Sequence, residues 1–377
     1  MAFANKMREQ LAQSFVEALN QDRIPWQACW QLSQPENAIT GRRYQSTNAL
    51  LLSYVASQKQ FLDSRWCTFN QAKDKGWHIQ KGAKGCPVEY WAYYDREEKK
   101  MLPWPDAKKI IRQNPEYAER NLVLRSRTFT VFNAQQIEGI PERTQHPEMN
   151  IDEFRHHRDT LLHNMNLRLL EGFSDPSYSP LSDTIFLPYE KDFFDTYSYA
   201  CTMLHEAGHA TGHESRLNRD LTGSFGSESY AKEELRAEIA SAFTAQALGL
   251  HLTNKQLAHH MDLHKAYIQS WAAVVQNNPE ELFHAIKDAE KISDYLMEKG
   301  EFSVSKGMEP TTPEPAAEVP RSGPDNRTLD SIVAGAVAKA PPEQSLTLEE
   351  QIARAKQRAE QDRQNRPKVH RDYEIEF

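Results

Sequence analysis

The stretch Leu204-His205-Glu206-Ala207-Gly208-His209-Ala210-Thr211-Gly212-His213 constrains this chain more than any other. It contains His-Glu-x-x-His. On a helix, residues four apart share a face, so His205 and His209 can converge on one metal ion. Glu206 stands beside the first ligand, where it can hold a metal-bound water whose pKa zinc has lowered. That is the chemistry of a zinc peptidase. The bare pattern also fits two exposed histidines and a surface glutamate, so its surroundings must decide.

The surroundings favour a buried helix. Phe194, Tyr197, Cys201, Leu204 and Gly208 fall on one stripe at helical spacing. Asp192 or Asp195 can cap the start and Gly212 can end it. A buried histidine pair needs partners, and a metal supplies them. A third histidine ten residues after His205 is excluded, because Ser215 stands there. His213 lies one turn past His209 but beyond Gly212. Downstream, residues 233–243 read as a second helix with Leu235, Ile239, Ala242 and Phe243 as its apolar stripe. Glu238 falls inside that stripe, and a carboxylate there must be paired or bound to metal. Glu238 is therefore the expected third ligand. Glu234, one turn earlier on the same face, is the alternative, and pairing of Glu238 with an arginine is the reading without metal. Two histidines and a glutamate leave a fourth zinc position open for water.

Composition narrows the class. No run of about 18 apolar residues exists, so no membrane span is expected. The first residues lack a signal-peptide pattern. The four cysteines, Cys29, Cys67, Cys86 and Cys201, form no C-x-x-C, which fits a reducing, cytoplasmic setting and excludes a cysteine zinc site. The net charge of −8 is unevenly spread: residues 1–140 hold 20 Lys and Arg against 14 Asp and Glu (+6), and the rest holds 25 against 39 (−14). The basic part also carries Trp26, Trp30, Trp66, Trp77, Trp91 and Trp104, six of the seven tryptophans. Basic residues among aromatics suit single-stranded nucleic acid, where bases stack on rings and phosphates meet cations. For any single tryptophan, a place in the core is the stronger reading.

Along the chain, helices are expected over 3–20, 48–56, 152–170, 252–274 and 279–298, and a short helical piece over 65–72. Alternation marks strands at 87–94 and 127–132, and a strand at 183–187 is read as an edge able to pair with an extended substrate. Lys81-Gly82-Ala83-Lys84-Gly85 is a turn that can face an anion. Residues 95–121 show no strong pattern and read as an insertion. The fold class is α+β: a small mixed domain over 1–140, a linker over 141–150, and a mostly helical domain with a short sheet over 151–300. Eight of the 20 prolines fall in the last 75 residues, so 301–377 is expected to be a disordered tail, with an isolated helix possible over 346–364.

A resemblance runs through residues 5–298. It rests on Pro25-Trp26, Thr40-Gly41-Arg42 with Tyr44 and Asn48, Trp66-Cys67-Thr68-Phe69, Lys81-Gly82 with Lys84-Gly85, and Val131-Phe132-Asn133. In the second half it rests on Tyr178-Ser179-Pro180, His205-Glu206 with His209, Ser215-Arg216-Leu217, and Glu233-Glu234-Leu235 with Ala237-Glu238. On these residues the chain resembles the plasmid antirestriction proteins of the ArdC type. The resemblance implies an N-terminal single-stranded-DNA-binding domain, a C-terminal zincin-like metallopeptidase domain, and protection of incoming conjugative DNA. It implies a Zn2+ ion on His205, His209 and Glu238, with Glu206 as catalytic base and a protein substrate. Arg42, Arg43, Tyr44, Lys81 and Lys84, with Asn48 and Trp66, are the expected DNA contacts. The competing readings are a non-catalytic strand-coating protein with a structural metal, and a plasmid priming or transfer accessory.

Overall fold

The computed structural model describes residues 2–143, 149–224 and 226–302. The expected tail and its helix over 346–364 fall, past residue 302, outside the described residues. So does the middle of the expected linker.

The first half runs α1 (Ala2–Leu19), a 3-10 turn over Pro25–Trp30, β1 (Glu36–Asn37), α2 (Ser46–Lys59), β2 (Arg65–Thr68), α3 (Phe69–Asp74) and β3 (His78–Ile79). It continues through β4 (Cys86–Asp95), β5 (Lys100–Leu102), α4 (Trp104–Gln113), α5 (Pro115–Asn121), β6 (Leu122–Asn133) and β7 (Ile137–Glu138). Five of these strands form one sheet in the order β1-β2-β6-β4-β5. Its spine is the antiparallel ribbon of β4 and β6, in register from Cys86↔Val131 to Asp95↔Leu122. The alternation at 87–94 and 127–132 thus gives strands, each extended further along the ribbon. Residues 65–72 divide between β2 and α3, because Thr68 caps a helix there: its side chain accepts from Gln71 N while Gln71 accepts from Thr68 N. The stretch 95–121 is structured after all, as β5, α4 and α5. Its two helices are short, and each begins with a proline in its first turn.

The second half consists of α6 (Ile151–Met165), β8 (Arg168–Glu171), β9 (Ser177–Ser179), β10 (Thr184–Leu187), α7 (Thr196–Ala210), α8 (Glu228–Leu248), α9 (Asn254–Asn277) and α10 (Pro279–Lys299). The three strands lie in the order β8-β10-β9. The strand expected to be an edge, β10, is therefore internal, paired parallel to β8 and antiparallel to β9. The edge packed against α7 is β9, a polar Ser-Tyr-Ser segment with no apolar alternation to announce it. Helices combine with largely antiparallel sheets, which makes the fold α+β. Among the described residues no helix is long and apolar enough to cross a membrane.

One apolar core joins the two halves. Trp26 and Trp30 are buried, and Trp26 meets Trp271 of α9 edge-on with ring centroids 5.3 Å apart. Gln246 of α8 donates to Leu32 O (2.8 Å) and Ser53 Oγ (3.2 Å), and Leu252 N donates to Trp30 O (2.7 Å). The boundary near residue 140 separates two stretches of sequence, but α1, the 3-10 turn and α2 close the core of the helices beyond it. A small satellite of Cys67, Ala72 and Ile137 sits under the far face of the sheet.

Candidate metal centre

Helix α7 starts where the side chain of Asp195 accepts from Ser198 N at 2.8 Å. Its buried stripe is pinned on α8, whose own start is capped by Ser227. Between the two helices, His205 Nε2 and His209 Nε2 lie 3.2 Å apart. Glu234 of α8 approaches both, with Oε2 3.5 Å from His205 Nε2 and Oε1 3.4 Å from His209 Nε2. Among the described residues, His205, His209 and Glu234 form the group whose donor atoms gather closely enough to hold one metal ion.

Glu238, the expected third ligand, does something else. It is fully buried, one turn deeper, and its Oε2 stands 3.1 Å from His205 Nδ1, on the opposite side of the ring from the cluster. The third place in the cluster belongs to the alternative, Glu234. Both glutamates lie on the same face of α8, so spacing alone does not separate them. Depth does, because a ligand must reach the outward nitrogens.

His209 is held in the same way. Its Nδ1 lies 3.3 Å from Glu233 Oε1, and Glu233 in turn takes Arg219 Nη2 at 2.6 Å and Arg219 Nε at 3.1 Å. Arg219 also donates to Thr211 Oγ1 (2.7 Å) and Gly208 O (2.8 Å), tying the loop after α7 to the helix. Arg219 is not singled out in the sequence, and Glu233 enters only as part of a matching motif with no role, although an acidic residue beside a ligand is the signal for such a pair. His213 turns away and pairs with Ser215 at 2.8 Å. Arg216, Asp183 and Tyr178 form a further network that fixes this loop to β9 and β10.

The donor set fits a divalent cation. With each Nδ1 facing a carboxylate, a neutral ring keeps its proton there and presents a lone pair at Nε2. Two such lone pairs and a carboxylate converging at 3.2 to 3.5 Å repel one another unless a cation lies among them. A tetrahedral ion with bonds of about 2.0–2.1 Å separates its ligands by about 3.3 Å, which matches. Protons answer the same repulsion when no cation is present. Burial lowers His209, but Glu234 and Glu233 outweigh it and push the ring up to about 9. Burial likewise lowers His205, and Glu234 and Glu238 carry it well above its ordinary value. Glu206 is buried beside the pair, and burial lifts its carboxyl above the usual range, opposed by both histidines and a backbone hydrogen bond from Tyr178.

The expected DNA contacts divide by exposure. Arg42, Lys81 and Lys84 are exposed, the two lysines on a turn whose Gly85 lies so close to β6 that a Cβ would sit 2.4 Å from Thr130 Cγ2. Arg43 is half-buried and donates to Gln34 Oε1 at 3.2 Å. Tyr44 packs against the core, and burial pushes its phenol up to about 12. Two of the seven expected contacts are turned inward and offer nothing to a strand. Asn48 is committed to the backbone of Glu89, donating to its O (2.7 Å) and accepting from its N (2.9 Å). Trp66 is 1% exposed, edge-on to Phe61 in the core.

Residues 156–288 match the model of a zincin-like metallopeptidase family, and residues 5–132 match that of the N-terminal domain of the anti-restriction factor ArdC. The fold and the histidine–glutamate cluster thus define a zincin-like domain behind an ArdC-type N-terminal segment. Crystal structures of the antirestriction protein ArdC from plasmid R388 are similar over 78% of this chain and 98% of theirs. The metal-free form gives a TM-score of 0.60 at 25% identity, and the Mn(II)-bound form 0.59 at 26%. The uncharacterized protein y4eC of Sinorhizobium fredii is 30% identical over 277 residues, 73% of this chain and 84% of y4eC. Two proteins named DNA primase TraC from Escherichia coli are 36% identical over 343 residues and 38% over 302, covering 88% and 77% of this chain. This chain spans only 30% and 20% of their lengths. The chain belongs to the ArdC-type antirestriction family.

Proposed function

We propose that this protein binds single-stranded DNA entering a cell, shields it from restriction, and carries a zinc-dependent peptidase site. The observation that carries the peptidase reading is Glu206, buried beside a cluster of two histidines and Glu234; a purely structural metal has no use for a fourth acidic group there. His205, His209 and Glu234 would hold the ion, and Glu238 and Glu233 orient the two rings. A bound divalent cation supplies Lewis-acid polarisation of a carbonyl and of a water. Glu206, with its raised pKa, takes a proton and returns it to the leaving amine. The edge strand β9 offers its backbone beside α7 to an extended peptide. The likeness to the antirestriction protein ArdC of plasmid R388 supports antirestriction as the role, and the Mn(II)-bound form of that protein supports a divalent ion in this chain.

The test is a comparison of wild type, Glu234→Ala, Glu238→Gln and Glu206→Ala. Wild type and Glu206→Ala should each hold about one zinc per chain, Glu234→Ala should hold none, and Glu238→Gln should bind it more weakly. Peptide hydrolysis should fall about 100- to 10,000-fold in Glu206→Ala, while oligonucleotide binding and protection of incoming plasmid DNA persist. Full zinc in Glu234→Ala would overturn the ligand assignment. Loss of protection in Glu206→Ala, with zinc and DNA binding intact, would make proteolysis the mechanism of protection.

A further inference from the structure

The exposed contacts expected from sequence, Arg42, Lys81 and Lys84, lie in a loop and a turn, yet a second aromatic and basic surface lies elsewhere. The register of β4 and β6 pairs Tyr90 with Arg127, Ala92 with Arg125 and Tyr94 with Val123. Directly opposed residues point to one side of a sheet, so Tyr90, Tyr94, Arg125 and Arg127 share a face with Phe129. Two contacts agree with this. Tyr90 and Phe129 meet edge-on at 6.1 Å, and the Arg125 guanidinium lies 4.0 Å from the centre of the Tyr94 ring. Toward β2 this face is covered by core, with Val88 and Val131 buried. Beyond Val88 it opens: Tyr90 is 39% and Phe129 38% exposed, and both arginines are exposed.

Charge is sorted between the two sides of the ribbon. From Val88 to Tyr94 and from Val123 to Phe129, no acidic residue points to the open side. Glu89 and Asp95 point to the other. There Arg8 of α1 takes Glu89 at 2.9 Å, Tyr117 of α5 donates to Asp95 at 2.9 Å, and Trp104 of α4 stacks on Tyr93. The open side is left with two cations and three rings over the seven residues from Val123 to Phe129, roughly 20 Å at the rise of a strand.

We propose that single-stranded nucleic acid lies along this face of β4 and β6, its bases stacked on Tyr90 and Phe129 and its phosphates on Arg125 and Arg127. This rests on the strand-binding reading above and names its surface. Rings on a sheet stack bases irrespective of sequence, and arginines bind backbone phosphate, so binding should be sequence-tolerant and salt-sensitive. The alternative for the two rings is cross-strand stabilisation of the sheet alone. That role occupies Arg125, which lies over Tyr94, and leaves exposed Arg127 unexplained.

The experiment is fluorescence anisotropy of the full chain with a labelled oligodeoxythymidine across a salt series, with thermal unfolding recorded for each variant. Arg125→Ala/Arg127→Ala should bind about tenfold or more weakly at low salt. It should also flatten the slope of log K against log salt by about 1.4, from about 0.7 per phosphate contact on a single strand. Arg125→Lys/Arg127→Lys should restore the slope. Tyr90→Leu/Phe129→Leu should weaken binding about tenfold with the slope unchanged, since stacking releases no counterions. Wild-type affinity and slope in the arginine variant, with wild type itself binding, would overturn this surface and leave the strand-binding function standing. Failure of wild type to bind the oligonucleotide would overturn both.

Discussion

Replacing Arg219 by methionine tests the positioning network behind the metal cluster. Arg219 is largely buried, makes a two-point contact with Glu233, and spends its remaining donors on Thr211 Oγ1 and Gly208 O. Methionine keeps much of the volume but strands a buried carboxylate. Breaking a buried ion pair by removing one partner costs about 3–5 kcal/mol. Part of this is recovered here, because His209 remains within 3.3 Å of Glu233. A loss of about 2–4 kcal/mol in urea unfolding is expected. A second effect falls on the metal. Without Arg219, Glu233 is free to swing, and His209 loses the partner that fixes its ring. Second contacts of this kind are worth about 10- to 100-fold in affinity, so competition with a chelating dye should show zinc bound that much more weakly. Unfolding within 1 kcal/mol of wild type together with unchanged zinc affinity would refute the idea that this arginine positions the ligand.

Two further outcomes follow from named contacts. Gly208→Ala should raise stability by about 0.5–1 kcal/mol through helix propensity, because a Cβ there meets Ala237 at an ordinary 3.6–3.7 Å; a fall in melting temperature would show the α7–α8 contact to be tighter than this. Burial raises the Asp183 carboxyl, but hydrogen bonds from Arg216 and Tyr178 outweigh it and hold the group below the usual 3.8. Its contribution is therefore present above that value and lost as pH falls through the lower, folded one. Stabilities of wild type and Asp183→Asn should differ at pH 6 and converge in acid, and parallel curves would exclude the linkage.

The helix bearing His205 and His209 was legible because cap and motif agreed with most of the periodicity: Asp195 caps it and Cys201, Leu204 and Gly208 of the stripe are buried, while Phe194 lies before the helix and is exposed. The third member was legible only as a choice. Glu234 and Glu238 are one turn apart, and how deep each sits under the histidines depends on how α7 crosses α8, which no local pattern encodes. The basic, tryptophan-rich composition of the first 140 residues did not say which of its residues lie at the surface. Trp26 and Trp30 are core, as is the stronger reading for any single tryptophan, and so is the expected contact Trp66; the expected contact Asn48 serves the backbone of β4. The common face of Tyr90, Phe129, Arg125 and Arg127 exists only through strand register. Alternation showed both strands, and pairing had to be seen. The same holds for β10, an apolar strand whose flanking partners carry little apolar pattern of their own.

Helix α8 has one further consequence. Near its start stand Glu233, Glu234 and Glu238; near its end stands Gln246, bonded to Leu32 and Ser53 of the opposite half. Thirteen residues separate Glu233 from Gln246, about 20 Å of continuous helix. A flexible tether would let two modules search for each other and would dilute whatever each one held. A shared rod acts instead as a ruler: it sets one spacing and one heading between the metal cluster and the elements beneath the sheet, without a hinge to retune them. Lengthening the chain outside α8 leaves that spacing alone, whereas a single residue inserted between Glu238 and Gln246 turns one end against the other by about 100°.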